Sequence, residues 1–208
     1  LKDKKDYTKV VVRKPWGYEY LTFQNEFVGV WILHIKKKQQ TSMHCHYHKK
    51  TSLVVLDGTA TCKTLNQEII RKSGDTVMID EKIFHQTINE TNDDLIVLET
   101  ETPNSKNELI RLKDKYGRSK LGYENIDKHS INTNNYNYIT LESRDAFFNR
   151  TKRYKNSSIS LIQYANNKSF LNIIDELNTT YTILKGHINM QSKKFSAGDS
   201  FLVNEIKN

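Results

Sequence analysis

The chain has 208 residues, a formal net charge of +8 and two cysteines, Cys45 and Cys62. This length allows one large domain or two small ones, and we expect neither a membrane span nor a signal peptide. An excess of basic residues favours anionic partners. Because these residues are scattered in short clusters, we expect an anionic small molecule rather than nucleic acid. Sparse cysteine fits a reducing compartment, so we expect a cytoplasmic protein.

The first predicted elements are a turn and a strand. A charged and then β-branched stretch, residues 1–12, leads into Pro15-Trp16-Gly17. Taken alone, these three residues predict a turn with a buried indole. Residues 28–33 are continuously apolar after Gly29 and predict a β-strand.

Three alternating histidines, His44, His46 and His48, follow that strand. Side chains at i, i+2 and i+4 share one face of a strand, so we expect the three rings to project together. Residues 53–56 are apolar and Gly58 marks a turn, which supports a strand here. Converging neutral imidazoles are ligands for Zn, Fe, Ni or Mn. The alternative is an exposed histidine-rich strand that binds metal adventitiously.

A second motif lies further along the chain. Gly74 begins it, His85 follows an apolar strand, and Asn89 comes four residues later. This spacing resembles the second motif of the cupin superfamily, although Asp80 and Lys82 stand where that motif usually has Pro and Gly. The resemblance makes His85 the counterpart of the histidine that this motif contributes to a metal.

The histidine stretch resembles the first cupin motif. His44 and His46 fit its His-x-His pair and Gly58 fits its closing glycine, while Thr51 occupies the position of its usual glutamate. In cupins the histidines and the glutamate bind one metal inside a small β-barrel. His48 is not one of the usual ligands, and we expect it to support the others.

The resemblance therefore implies one divalent metal ion bound by His44, His46 and His85. Zinc is the first expectation, with iron, manganese and nickel as alternatives.

Two landmarks narrow the resemblance to a family. Residues 15–17 are similar to the Pro-Trp-Gly element that opens cupin-type mannose-6-phosphate isomerases, including the cupin domain fused to mannose-1-phosphate guanylyltransferases. Residues 108–118 are similar to their closing Asp-x-Val-Arg, Asp-x-Tyr-Gly-Arg signature, with Arg111 and Arg118 at its arginines. The resemblance spans residues 13–118.

Two departures from that family change the expected chemistry. His44 replaces a glutamine ligand, and Thr51 replaces the glutamate ligand. A neutral three-histidine site leaves the metal more positive, which suits Lewis-acid chemistry on an anionic or hydroxylated ligand. It also removes an anionic ligand and base, so the resemblance implies metal binding without implying the mannose-6-phosphate reaction itself.

Other polar residues are candidates for acid–base chemistry and for anion binding. Glu99 and Glu101 share one face of a predicted strand, and Glu99 is the first candidate for a catalytic base. The alternative is that both lie at the solvated end of the strand. Lys49, Arg111 and Arg118 are candidate phosphate ligands, since guanidinium groups bind phosphate through two parallel hydrogen bonds. The alternative for these three is an ordinary solvated surface.

The predicted fold is all-β, with a cupin (double-stranded β-helix, or jelly-roll) barrel followed by a second, degenerate or incomplete cupin-like unit. We assign residues 1–125 to the metal-binding barrel, 126–137 to an Asn-rich linker, and 138–208 to the second unit. That unit lacks ligand histidines, so we expect a structural or dimerising role and a homodimer.

Within the second unit, residues 138–141 and 158–162 read as strands and residues 142–150 as a short helix. Two pairs of segments repeat a strand and a glycine turn, which indicates an internal repeat. These pairs are 179–188 with 50–59, and 197–203 with 73–79.

Three functions from different classes fit these expectations. The resemblance implies a metal-dependent isomerase or epimerase acting on a phosphorylated or nucleotide-linked sugar, in surface polysaccharide biosynthesis. A three-histidine metal oxygenase is the second candidate. A non-catalytic sugar-binding module of a larger enzyme is the third. Metal identity separates the first two, and proton exchange on a sugar separates the first from the third.

Overall fold

Strands form most of the structure, a computed structural model that describes residues 6–106, 108–124, 126–147, 150–165, 170, 179–190 and 192–203. In chain order, the strands of the first half are β1 (Val11–Lys14), β2 (Gly17–Gln24), β3 (Gly29–Ile35), β4 (Met43–His46), β5 (Lys50–Asp57), β6 (Thr59–Thr64), β7 (Glu68–Lys72), β8 (Thr76–Ile79), β9 (His85–Ile88), β10 (Leu95–Thr102) and β11 (Leu109–Lys113). The second half contains a 3₁₀ turn (Ile126–Lys128), β12 (His129–Ser130), α1 (Ser143–Phe147), β13 (Thr151–Tyr154), β14 (Ser157–Ser160), β15 (Thr180–Thr182), β16 (His187–Met190), β17 (Lys193–Ser196) and β18 (Ser200–Leu202).

Two antiparallel sheets build the barrel. The larger has the order β12-β1-β2-β3-β10-β5-β8, and the smaller has the order β11-β4-β9-β6-β7. Their inner faces share one hydrophobic core, in which Ala60 and Cys62 of the smaller sheet pack with Leu53 and Val97 of the larger. This arrangement of two facing sheets is the predicted cupin barrel.

The central strands of the larger sheet are buried on both faces, which explains why β3, β5 and β10 read as nearly continuous apolar runs. Trp31 and Leu33 of β3 face the barrel interior, while Val30 and Ile32 face the opposite side. This alternation follows from the two-residue period of a strand. A sheet that is apolar on both faces needs a cover on its outer face.

Residues from the C-terminal part provide that cover. Leu141 and Tyr154 are buried against the outer face of the larger sheet. Several partly buried side chains join them there: Tyr136, Tyr138, Ile139, Ile159, Leu161, Leu184 and Ala197. The C-terminal part therefore completes the core of the larger sheet, and the proposed division of the chain near residue 125 stays a prediction.

Three expectations for the second half differ from the structure in detail. Residues 138–141 were expected to form a strand, but they run beside β2 without a ladder, joined by single hydrogen bonds such as Leu141 N to the Thr22 carbonyl (2.8 Å). Part of the expected linker is ordered, because β12 pairs with β1. Of the helix predicted over residues 142–150, the described residues show Ser143–Phe147 as helical, and residues 142 and 150 lie outside it.

The expected internal repeat is visible in the backbone hydrogen bonds. In the first half, Val55 N donates to the Asp75 carbonyl (3.1 Å) and Gly74 N to the Val55 carbonyl (2.8 Å). In the second half, Ile183 N donates to the Asp199 carbonyl (2.9 Å) and Gly198 N donates to the Ile183 carbonyl (2.7 Å). The two halves thus share one order of elements. The strand β15, the hairpin β16–β17 and the strand β18 correspond to β5, the hairpin β6–β7 and β8.

Among the described helices, none has the length and apolar character needed to cross a lipid bilayer.

Candidate metal centre

Three histidine rings meet inside the barrel. His44 and His46 share one face of β4, and His85, the first residue of β9, pairs with His44 across the ladder. The ring centroids are 4.5 Å apart for His44 and His85, 5.1 Å for His44 and His46, and 5.6 Å for His46 and His85. One ligand nitrogen from each ring lies within 4.8 Å of the other two. A pair of neighbouring strands therefore brings together the three predicted ligands.

Hydrogen bonds set the tautomers of two of these rings. Nδ1 of His44 lies 2.8 Å from the Ser42 carbonyl, and Nδ1 of His85 lies 2.9 Å from the Ile83 carbonyl. A carbonyl only accepts, so each Nδ1 carries the proton and each Nε2 keeps a free lone pair. Bonds of this kind orient metal-binding histidines.

His46 differs, because its Nδ1 is buried and has no hydrogen-bond partner among the described residues. A buried polar atom without a partner is rare in proteins and points to a ligand. The residues present therefore fit a divalent metal.

All three histidines are neutral at pH 7. Burial is the main cause of their lowered pKa values, and it lowers that of His85 to about 4. For His44 the neighbouring His85 and His46 add to the effect of burial, and for His46 the Lys49 ammonium does so. Since metal binding requires the unprotonated ring, the site is ready for a metal without releasing protons.

His48 does not join the cluster. β4 ends at His46, so the alternation that predicted three rings on one face stops there, and His48 is exposed. Its backbone N–H donates to the Glu108 carboxylate at 2.8 Å. The expectation that His48 projects with the other two histidines was therefore wrong.

Two carboxylates on β10 lie beside the histidines. Glu99 and Glu101 face the barrel interior, and their oxygens and a nitrogen of His46 are within 4.8 Å of one another. Glu101 pairs across the ladder with Thr51, the residue in the usual glutamate position. The Thr51 hydroxyl and the Glu101 Oε2 are buried without a hydrogen-bond partner in the part of the chain that the structure describes. A neighbouring strand thus supplies carboxylates next to the position where the motif lacks one.

The two carboxylates differ in protonation. Burial raises the pKa of Glu99 to about 7. Burial also opposes ionisation of Glu101, but the ammonium groups of Lys106 and Lys49 outweigh it and hold the pKa of Glu101 below its usual value. Glu101 is therefore a fixed anion, while Glu99 can exchange a proton near neutral pH.

The candidate site residues line one cavity. His44, His46, His85, Glu99, Lys49, Arg111 and Arg118 all line it. Sequence reasoning missed four charged or phenolic residues that also line it: Lys14, Glu19, Lys106 and Tyr123. The alternation of β2 places Glu19 on the inner face with Leu21 and could have identified it. Lys106 and Tyr123 lie outside regular strands, and no sequence pattern marked them.

Buried ion pairs form an alternating chain along the cavity wall. Lys49 donates to Glu101 at 2.7 Å, and Lys106 contacts both Glu101 (2.8 Å) and Glu19 (3.6 Å). Lys14 continues the chain from Glu19 (3.3 Å). The Tyr123 hydroxyl donates a hydrogen bond to the Glu19 carboxylate. Because Lys49 is paired with Glu101 and also donates to the Ser105 carbonyl (2.7 Å), its charge is largely compensated within the protein.

The two signature arginines lie at the far end of this chain. Arg118 makes ion pairs with Asp114 (2.7 Å) and Glu124 (2.5 Å). Arg111 lies 3.4 Å from Glu124, and its Nε donates to the Ser42 hydroxyl at 3.2 Å. Arg111 therefore has fewer ion pairs than Arg118, but its Nη1 also donates to the Leu121 and Gly122 carbonyls (2.5 Å each). Ser42 links Arg111 to the metal-ligand candidate His44. The role of Arg111 in phosphate binding stays a prediction.

Sequence comparison identifies one family. The family described as mannose-6-phosphate isomerase, C-terminal, matches residues 2–114, which is more than half of the chain. With the two facing sheets, this match establishes the cupin barrel. Among curated proteins, none matches the sequence.

Several solved structures resemble the chain over about half of its length or less. A protein from Acidithiobacillus ferrooxidans proposed to be a sugar phosphate isomerase shares 20% identity, with a TM-score of 0.36, over 39% of this chain and 53% of its own. A double-stranded β-helix protein from Klebsiella pneumoniae shares 17% over 49% of this chain and 84% of its own, with a TM-score of 0.40.

The capsular polysaccharide assembling protein CapF from Staphylococcus aureus shares 17% over 50% of this chain and 34% of its own, with a TM-score of 0.44. The matched region thus spans about half the length of the Acidithiobacillus protein and a third of CapF. Likenesses of this size carry no information on activity.

Proposed function

This chain belongs to the family of the mannose-6-phosphate isomerase C-terminal domain, and from this membership we propose that it is a metal-dependent isomerase or epimerase of a phosphorylated or nucleotide-linked sugar. The observation that carries the proposal is Glu99, a buried carboxylate with a pKa near 7 beside three neutral histidines. A catalytic base works best when its pKa lies near the working pH.

The metal site would supply electrostatic activation. A divalent ion held by His44, His46 and His85 would polarise a carbonyl or hydroxyl oxygen of the sugar as a Lewis acid. Zinc is the ion we propose first, because neutral imidazoles are common zinc ligands. The fixed negative charge of Glu101 would lie next to the ion and partly balance it.

Glu99 would move the proton. In its ionised form it would remove the proton from the carbon next to the sugar carbonyl, and the resulting carboxylic acid would return a proton to the substrate. Return to the neighbouring carbon, together with transfer of the adjacent hydroxyl proton to the former carbonyl oxygen, gives isomerisation. Epimerisation requires the intermediate to turn its other face to Glu99 before the proton returns to the same carbon. In both cases Glu99 gains and loses one proton and ends the cycle ionised.

Arg111 would hold the anionic group of the substrate, with Arg118 and Lys49 as further candidates. Arg111 lines the cavity and lies within ion-pair distance of one carboxylate among the described residues, whereas Arg118 pairs with two. Binding of a remote phosphate supplies orientation, which lowers the barrier for proton transfer at the sugar carbon.

The test is proton exchange in D₂O. The metal-loaded protein is incubated with a panel of hexose phosphates, heptose phosphates and nucleotide sugars, and NMR detects deuterium next to the carbonyl. We expect exchange with at least one sugar, and Glu99→Gln should abolish it while metal content stays the same. Glu68→Gln, at an exposed site on β7, is the matched control and should exchange normally. Absence of exchange and of binding across the panel, with metal fully loaded, would refute the proposal.

The ligand set also supports a second candidate, a metal oxygenase. Thr51 removes the motif's carboxylate ligand and leaves three neutral histidines, the set that the oxygenase alternative requires. Iron in the native protein, together with O₂ uptake, would favour this candidate. If neither sugar exchange nor O₂ uptake is found but a sugar binds, the chain is a binding module.

We also propose a role in surface polysaccharide biosynthesis, a cytoplasmic location and a homodimer. Light scattering coupled to size-exclusion chromatography tests the last of these directly.

A further inference from the structure

Three cationic side chains that line the cavity converge on one carboxylate. The Glu124 carboxylate is nearly buried and accepts hydrogen bonds from Lys14 and from Arg118 (2.5 Å), and Arg111 Nη2 lies 3.4 Å away. All three cations also line the cavity that contains the histidines. Lys14 and Arg111 lie within the family-matched segment, residues 2–114, whereas Arg118 and Glu124 follow it.

With Glu124, the number of carboxylates paired with these three cations equals the number of cations. Lys14 has a second partner in Glu19 (3.3 Å), and Arg118 has one in Asp114 (2.7 Å). Within the described residues, Glu124 is the only carboxylate in ion-pair distance of Arg111. The three cations therefore face three carboxylates, and removal of the charge of Glu124 would leave one positive charge in excess at the cavity wall.

We propose that Lys14, Arg111 and Arg118 form an anion-binding subsite for a phosphate monoester, and that the Glu124 carboxylate competes with the ligand for it. That the ligand is a sugar phosphate rests on the function proposed above, whereas the competition itself requires only a phosphate group. A carboxylate in the same chain has a high effective concentration, so it weakens the binding of an external anion. A phosphate dianion carries twice its charge and three acceptor oxygens, and can therefore displace it.

The experiment measures the affinity of the full-length, metal-loaded protein for inorganic phosphate by isothermal titration calorimetry. Glu124→Gln keeps the size of the side chain and an acceptor oxygen but removes the charge. We expect this variant to bind phosphate at least about tenfold more tightly, because one opposing charge a few ångströms away is removed. Glu142→Gln, which removes an exposed carboxylate paired with Arg144, is the matched control and should leave the affinity unchanged.

Two further variants keep the test decisive. Lys14→Gln combined with Glu124→Gln should remove most of the gain, because the subsite then loses a cation. If Glu124→Gln does not fold, Glu124→Asp takes its place. Its side chain is one methylene shorter, so the carboxylate keeps its charge but lies further from the three cations. Phosphate should then bind several-fold more tightly than to the unmodified protein. Unchanged or weaker phosphate binding in the folded Glu124 variant would overturn the proposal and make Glu124 a residue that only positions the cations.

The two proposals fail separately. Tighter phosphate binding in Glu124→Gln without deuterium exchange on any sugar would support the subsite and refute the isomerase. Exchange by the unmodified protein without a gain in phosphate affinity in the variant would support the isomerase and refute the competition. A comparison of mannose 6-phosphate with mannose then shows whether the phosphate group accounts for sugar binding.

Discussion

Glu99 and Glu101 are two residues apart on the same face of one strand, yet the structure gives them different chemistry. Lys49 and Lys106 both donate to Glu101 and keep it ionised. Glu99 is buried without such a close ammonium partner among the described residues, so its pKa rises. A group that titrates near pH 7 inside a polar cavity is a candidate catalytic residue.

A raised pKa has a measurable cost in stability. The unfolded chain ionises Glu99 near 4.5, whereas the folded protein does so near 7. Folding therefore opposes ionisation, and stability is lost as the pH rises from 4.5 through 7. We expect metal-free Glu99→Gln to be more stable than the unmodified protein by about 3 kcal/mol at pH 8, with no such difference at pH 4.

Urea unfolding at pH 4, 6 and 8 measures this difference. Protonation of the three histidines affects both proteins alike and cancels in the comparison. Glu68→Gln should show no pH-dependent difference. A gain in Glu99→Gln that is the same at every pH would contradict the assignment of the titrating group to Glu99.

At the scale of elements, the length of β4 decides which histidines meet. The strand ends at His46, so His44 and His46 share its inner face with His85 of the neighbouring β9, while His48 turns to solvent. β10 has a comparable role, because its inner face carries both carboxylates and its outer face belongs to the second hydrophobic cluster. Three strands, β4, β9 and β10, therefore supply the candidate ligands and the candidate base.

This arrangement predicts which histidines hold the metal. We expect the native protein to contain stoichiometric metal and the His46→Ala, His85→Ala double variant to lack it, because two of three ligands are gone. His48→Ala, four residues from His44, should retain it. The metal content of the native and variant proteins is measured by mass spectrometry. Circular dichroism verifies that the variants are folded. Equal metal in native protein and double variant would refute this ligand set.

At the scale of the whole molecule, the C-terminal part packs against the larger sheet. Tyr154 and Leu141 are packed on its outer face, and the Lys50–Asp199 ion pair and the Ser52–Ser200 hydrogen bond join the second repeat to β5. The C-terminal part therefore covers a broad apolar face of the larger sheet.

Removal of residues 131–208 should therefore expose that face. A fragment of residues 1–130 keeps all three candidate ligands, but the outer faces of β3, β5 and β10 lose their cover. We expect it to bind a hydrophobic dye and to aggregate or change oligomeric state, since monomeric proteins rarely expose so large an apolar patch. Analytical ultracentrifugation checks this. A monodisperse fragment with unchanged metal content would contradict a structural role for the C-terminal part.

Local patterns in the sequence determined the barrel and its metal-ligand candidates. The spacing of His44, His46 and His85 is set by strand periodicity and by a family motif, and both are properties of short segments. The same holds for the internal repeat, in which Gly198 and Asp199 make the turn bonds of Gly74 and Asp75.

Tertiary structure decided what lies around those histidines. Glu124 reaches Lys14 across 110 residues, and Lys106 reaches Glu19 from a separate loop, so no local pattern could reveal either contact. It also decided the protonation of Glu99, because the pKa of a carboxylate depends on burial and on the charges nearby, and for Glu99 these include Glu19 and Lys49 from distant segments. Strand periodicity indicates which face a side chain occupies, but its electrostatic environment exists only after the chain has folded.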